Sequence, residues 1–432
     1  MRISTPFSIL LILSQITIAQ STLYPTTQSY ISYLKTNLPA KEEIDVFVNE
    51  KGWVKFDRES GYTLNKSLLH DGIDNCNTIV TSQENIVRTQ YMYKNLPCRI
   101  NTYGNSFTQS SQVSDGETWQ EYLAAHLGEP IRNYGVGGLG VYQAYRRMLR
   151  AETSKDSAEY IILYVWGGDH IRSLLRCRYM LTREWHLQQY QRENAVGKVF
   201  HGNFWPNLEM DLNTGKFVEY ENRIQTPEDM YKMMNEQWML ENLKDDLALQ
   251  MSLYKQGKIV DPDIEKLQLL SKHLGLTMDL SNPETLKDNI TLLLDKYSFA
   301  ATKYILEKAR DFADNHNRKL MIILFDPYIV TRSLIEKGTR YEQDVVDYLN
   351  ENQYYYFDMN LVHVEDFKSF NLSFDDYMKR YFNWHYSPAG NHFFAYSIKD
   401  KIIEMLDPKP ITYTNHQNAS MGFENYLEGV SK

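Results

Sequence analysis

The sequence predicts an α/β fold built on a mostly parallel central sheet. Residues 160–165 (Tyr-Ile-Ile-Leu-Tyr-Val) and 320–325 (Leu-Met-Ile-Ile-Leu-Phe) are unbroken apolar runs with β-branched residues, as strands buried on both faces are. Two shorter β-type runs, 99–103 and 131–134, each end in a glycine turn that leads on to a helical pattern. Strands alternating with helices in this way build βαβ units and a parallel sheet.

From its start, the chain shows Met1-Arg2, an apolar run over 7–13 and small residues around Thr17-Ile18-Ala19. This is the pattern of a secretory signal peptide over residues 1–19, which implies a secreted or periplasmic protein. A buried N-terminal helix or a retained anchor is the alternative. The run is short for a membrane span, which needs about 20 residues. The remaining length allows one large domain or two modest ones.

Net charge is −9 with no basic run, which argues against nucleic acid and against an acidic membrane surface as partners. Tyrosine occurs 32 times, which suits sugar-contacting surfaces but equally well a tyrosine-filled core. Cys76 and Cys98 can pair in an exported protein, leaving Cys177 over; three reduced thiols are the alternative. No cysteine or histidine spacing calls for zinc, and no metal or cofactor is expected. Residues 20–97 read as an N-terminal extension with small β elements, Trp53-Val54-Lys55-Phe56 alternating like a strand.

The core then begins. The strand at 99–103 ends in Gly104-Asn105-Ser106, and a helical segment follows from near Gly116, with Trp119, Leu123 and Leu127 on one face. Gly128 and Pro130 stop it. The strand at 131–134 ends in Gly135-Val136-Gly137-Gly138-Leu139-Gly140. In open α/β sheets ligands bind at the carboxyl ends of strands. A serine there, facing backbone N–H groups of a neighbouring turn, has a nucleophile and oxyanion donors. The strand at 160–165 ends in Gly167-Gly168-Asp169-His170. The last strand is expected at 354–358. Near the end, His385 precedes Pro388, Gly390 and an apolar helix over 393–406.

These blocks, in this order, resemble the SGNH/GDSL hydrolase family. Gly104-Asn105-Ser106 resembles its Gly-Asp-Ser block, and Asn133-Tyr134-Gly135-Val136-Gly137-Gly138 its Asn-x-Gly-Val-x-Gly block. His385, Pro388 and Gly390 resemble its last. The resemblance covers roughly residues 98–170 and 319–406. It implies a flavodoxin-like three-layer α/β/α fold, with Ser106 as nucleophile, His385 as base, and an oxyanion hole of Ser106 and Gly138. The family's Gly-x-Asn-Asp block is altered at Gly168-Asp169, so one oxyanion donor is missing or replaced, and the Asn105 amide is a candidate substitute. The family Asp before the histidine is also missing. Asn383 is the candidate to orient His385, with Asp358, Asp375 and Asp376 as other acids in reach.

Residues 171–318 leave the family pattern. Arg172, Arg176, Arg178 and Arg183 form either a solvated loop or an anion clamp, and Asp169, His170 and Arg172 are the candidate substrate contacts. Helical segments are expected over 227–256, 262–274, 283–295 and 297–315, so the block reads as a helical insertion or lid; a surface decoration or dimerisation arm is the alternative. It splits the hydrolase core into 98–170 and 319–410, with an irregular tail over 411–432. The leading functional reading is a secreted serine esterase acting on small acyl esters, with acetylated carbohydrate as the favoured substrate. An O-acyltransferase acting on polysaccharide is one alternative. A catalytically impaired carbohydrate-binding protein is the other. Oligomeric state is left open.

Overall fold

The computed structural model describes residues 28–49, 52–83, 86–190 and 202–413, with the side chains of 185–190 excepted. The signal-peptide segment, most of the tail, and Trp185 and His186 as side chains lie outside this description. The central sheet has five strands, all parallel: β1 (Ile100–Tyr103), β2 (Ile131–Asn133), β3 (Tyr160–Val165), β4 (Lys319–Leu324) and β5 (Tyr356–Asp358). Their order is 2-1-3-4-5. In this doubly wound order the chain reverses direction across the sheet between β1 and β3, and the crevice at their carboxyl ends is where such sheets bind ligands.

Period-two alternation explains the two cores. Tyr160, Ile162 and Tyr164 of β3, with Met321 and Ile323 of β4, face one side. There they meet helices α2 (Trp119–Leu127), α7 (Met359–Phe367) and α8 (Pro388–Met405). Ile161, Leu163, Val165, Ile322 and Leu324 face the other, against α3 (Val141–Glu152), α5 (Leu286–Asn315) and α6 (Gln343–Glu351). The sheet is therefore covered on both faces, and β3 and β4 read as continuous apolar runs for that reason.

The segments outside the sheet differ from expectation. Residues before the core hold two helices, Tyr30–Thr36 and Lys41–Val48, besides two hairpins, Val54–Asp57 with Gly61–Leu64 and Ser67–His70 with Asn77–Val80. The expected helices at 283–295 and 297–315 are one helix, α5, whose later half is the crossover into β4. The expected helix over 227–256 breaks into Glu228–Met234, Glu236–Leu243 and Leu247–Lys255, because Asn235 and Asp246 each cap a new start. A hairpin, Asn207–Asp211 with Lys216–Tyr220, was not foreseen.

The 171–318 block is not a separate lid: its buried Leu243, Leu249 and Met251 share one core with Tyr30, Tyr33 and Leu34 of the N-terminal helices. The Tyr30 hydroxyl donates to Leu243 O at 2.6 Å. Cys76, Cys98 and Cys177 are all free thiols. Cys98 Sγ instead donates toward Ile100 O and Pro130 O, each at 3.3 Å, so it is not paired with Cys76.

Arg88 joins the N-terminal segment to the loop after β1. Its side chain is 1% exposed and its Nε lies 2.8 Å from Asp115 Oδ1. Its Nη1 donates to the carbonyls of Gln109 and Ser110, and its Nη2 to Val113 O at 2.6 Å. Its backbone N–H donates to Asn133 O at the end of β2. Removing one partner of such a buried pair leaves a bare charge and orphaned carbonyls. Arg88→Met is accordingly expected to lower unfolding free energy by about 3–5 kcal/mol, read by urea denaturation; a loss below about 1 kcal/mol, the net worth of one ordinary hydrogen bond, contradicts this role.

Candidate functional site

Three strand-end turns and the hairpin of His385 converge at the crevice. The first follows β1. A Cβ on Gly104 would lie 2.2 Å from Thr108 Oγ1 and 2.9 Å from Tyr164 Cβ, so glycine lets the chain turn tightly against the sheet. Asn105 caps the one-turn helix α1 (Ser106–Gln109): its Oδ1 accepts from Phe107 N at 2.8 Å. Ser106 is thus a first helical residue, where the backbone N–H has no helical acceptor. Its side chain is half-buried.

The turn after β2 lies alongside. A Cβ on Gly135 would sit 2.2 Å from Gln109 N. Gly137 N donates to Gln109 Oε1 at 2.6 Å. Gly138 has φ +85°, a conformation glycine adopts without strain. Its carbonyl accepts from Arg178 Nη1 at 3.0 Å. The N–H groups of Ser106 and Gly138 have no hydrogen-bond partner among the described residues. They are the two donors the sequence places in the oxyanion hole.

The turn after β3 changes several expectations. Asp169, at the start of α4 (Asp169–Arg172), is 1% exposed. Its Oδ2 accepts from Asn105 Nδ2 at 2.8 Å and its Oδ1 from Arg172 Nη1 at 2.7 Å. It therefore anchors these side chains and does not face substrate. Burial pushes its carboxyl up to about 6, against the pull of Arg172 and Asn105. One N–H of the Asn105 amide is correspondingly committed to Asp169.

His170 also departs from the reading as a substrate contact. It is buried, with Nδ1 2.8 Å from Thr302 Oγ1 and Nε2 3.0 Å from Glu342 Oε2. Arg172 remains at the site, its guanidinium stacked 4.8 Å from the Trp166 ring. Of the other arginines, Arg176 is paired to Glu209 at 2.5 Å and only Arg178 borders the crevice, through Gly138. Trp205 is a core residue, its Nε1 donating to Leu175 O at 2.6 Å.

His385 closes the site. It lies in a minimal antiparallel pair, Asn383 opposite His385 and Phe382 opposite Tyr386. The Tyr386 ring is buried, its hydroxyl 2.7 Å from His363 Nε2. The strand of His385 packs against α1, with the Phe107 and His385 rings 5.1 Å apart. The residue that holds the imidazole is Gln112, whose Oε1 lies 2.9 Å from Nδ1. Asn383 does not: its Nδ2 donates to Asp71 O at 3.3 Å. Nor do the other candidate acids. Asp358 pairs with Arg340, Asp375 with Arg332 at 2.5 Å, and Asp376 with Lys379 at 2.7 Å.

The orientation of the Gln112 amide is fixed by two backbone groups. Its Nε2 donates to Asp71 O at 2.8 Å, and its Oε1 accepts from His385 N at 3.0 Å. An oxygen facing Nδ1 requires Nδ1 to carry the proton. The lone pair is then on Nε2, which has no partner among the described residues. Burial, with the nearby Arg172 charge, pushes the imidazole down to about 4, so it is neutral at ordinary pH.

Nothing in the sequence marks Gln112 for this role. It lies in a polar stretch, at φ +70°, and reaches His385 through a loop that Arg88 shapes. Among the described residues, no group of three or more His, Cys, Asp or Glu side chains could hold a metal ion. No helix among them is long and apolar enough to cross a membrane. No protein-family model matches the chain, and no curated protein is significantly similar to it.

Arg172→Gln is expected to raise the His385 pKa above about 4, because it removes a cation that disfavours the protonated ring. The shift reads out in an NMR titration of His385; an unmoved or lowered value contradicts the placement of Arg172 beside the ring.

Proposed function

We propose that the protein is a serine esterase of SGNH/GDSL type acting on small acyl esters, and that acetylated carbohydrate is its favoured substrate. The observation that carries this reading is the fixed tautomer of His385: Gln112 leaves Nε2 as a free base on the strand packed against the Ser106 helix. Ser106 Oγ attacks the ester carbonyl as Nε2 takes its proton. The developing oxyanion is received by the Ser106 and Gly138 N–H groups. His385 returns the proton to the departing alcohol, and water then releases the acid by the same route in reverse. The N-terminal pattern over residues 1–19 supports export of the enzyme.

One feature tempers the rate. Gln112 supplies the tautomer without the negative charge that a carboxylate lends to the imidazolium, and a base near 4 accepts a proton weakly. The same amide favours a second reading, a carbohydrate-binding protein on a catalytically idle site. Hydrolysis of p-nitrophenyl acetate separates them. The esterase reading expects turnover that stays flat from about pH 8 down to about pH 5, because the base loses its lone pair only near 4. Ser106→Ala and His385→Ala are each expected to lower kcat/KM by about a thousandfold or more. Equal rates in all three proteins contradict it.

A further inference from the structure

Trp384 joins Asn383 to His385 as the single residue between the two paired strands. It is 77% exposed, and its φ is +66°. Both facts run against folding stability. A bulky residue at positive φ is strained, and a glycine would sit there freely. An indole in water gains nothing from burial. The conformation is nevertheless held: the Tyr328 hydroxyl donates to Trp384 O, and Asp71 and Gln112 fix the residues on either side. Strain maintained by its surroundings, beside a reactive group, is the mark of a residue kept for contact with something outside the chain.

We infer that Trp384 is the platform on which a pyranose ring of the substrate stacks, placing its ester at Ser106 and His385. The inference rests on the esterase reading above and names the class of alcohol the site takes. One face of a pyranose presents apolar C–H groups with slight positive charge. The indole face carries the negative end of its quadrupole and complements it. The sugar's hydroxyls remain in water or reach the polar Asn383 beside the platform. A long acyl chain would want an enclosed apolar slot; a solvated flat ring suits a sugar instead.

The test uses β-D-glucose pentaacetate as the probe. Its affinity is measured by NMR titration for Ser106→Ala protein, which cannot turn it over, and for Ser106→Ala carrying Trp384→Gly or Trp384→Phe. Thermal unfolding of the glycine variant is expected to match or exceed the parent, since strain is relieved. The probe is expected to bind about tenfold more weakly after Trp384→Gly, with Trp384→Phe in between. Equal affinity of the three proteins, or no binding to any of them, overturns the inference. Hydrolysis of ethyl acetate by the wild-type protein reports separately on the Ser106 chemistry, because that ester has no ring to stack. Absent turnover with Trp384-dependent binding would overturn the esterase reading and leave the platform standing.

Discussion

The site depends on one buried guanidinium. Arg88 collects the carbonyls of Gln109, Ser110 and Val113 and the Asp115 carboxylate into a single loop. That loop carries Gln109, which holds Gly137, and Gln112, which holds His385. An arginine is suited to this because its donors form a rigid fork that can serve several acceptors at once. The Ser106 turn, the Gly138 turn and His385 are thus registered to one another through a residue of the N-terminal segment. That segment is part of the framework of this crevice, although it contributes no strand to the central sheet.

The electrostatics follow from the same arrangement. Three groups hold their neutral forms further than usual: Asp169 up to about 6, Asp326, which caps the turn after β4, up to about 7, and His385 down to about 4. Burial is the largest cause in each case. For His385, Arg172 adds to the effect, and an amide in place of a carboxylate does nothing to oppose it. The result is an imidazole whose neutral form is favoured. Asp326 has a folded-state pKa above its unfolded value, so the folded chain binds its proton more tightly. Its contribution to stability is therefore greatest at low pH and declines between about 4 and 7.

How much could be read from the sequence follows from what is local. β3 and β4 were legible because burial on both faces forces continuous apolar runs, and β1 and β2 because each short β-type run ends in a glycine turn. The strand-end positions of Ser106 and Gly138 were legible because a strand followed by a glycine turn is a local pattern. Asp169 and His170 were not, because a one-turn helix sends neighbouring side chains in opposite directions: one to Asn105, the other to Glu342. Asn383 looked right by its distance from His385 along the chain. Two residues apart across a paired turn, however, its amide donates to the Asp71 carbonyl, not to the ring. Gln112 and Arg88 act through contacts 273 and 27 residues away in sequence, and no periodicity records those. The N-terminal helices are short, and their burial is supplied by the distant 236–255 helices.

Under the proposed function, Ser106 is activated by a histidine whose tautomer Gln112 sets. The most direct measurement is labelling with a fluorophosphonate, in which Ser106 Oγ bonds to phosphorus and fluoride departs, followed by peptide mapping of the adduct. The account expects a single adduct on Ser106 in the wild-type protein, formed much more slowly in Gln112→Leu protein of the same fold. An adduct elsewhere, no adduct, or labelling unchanged by Gln112→Leu would contradict it.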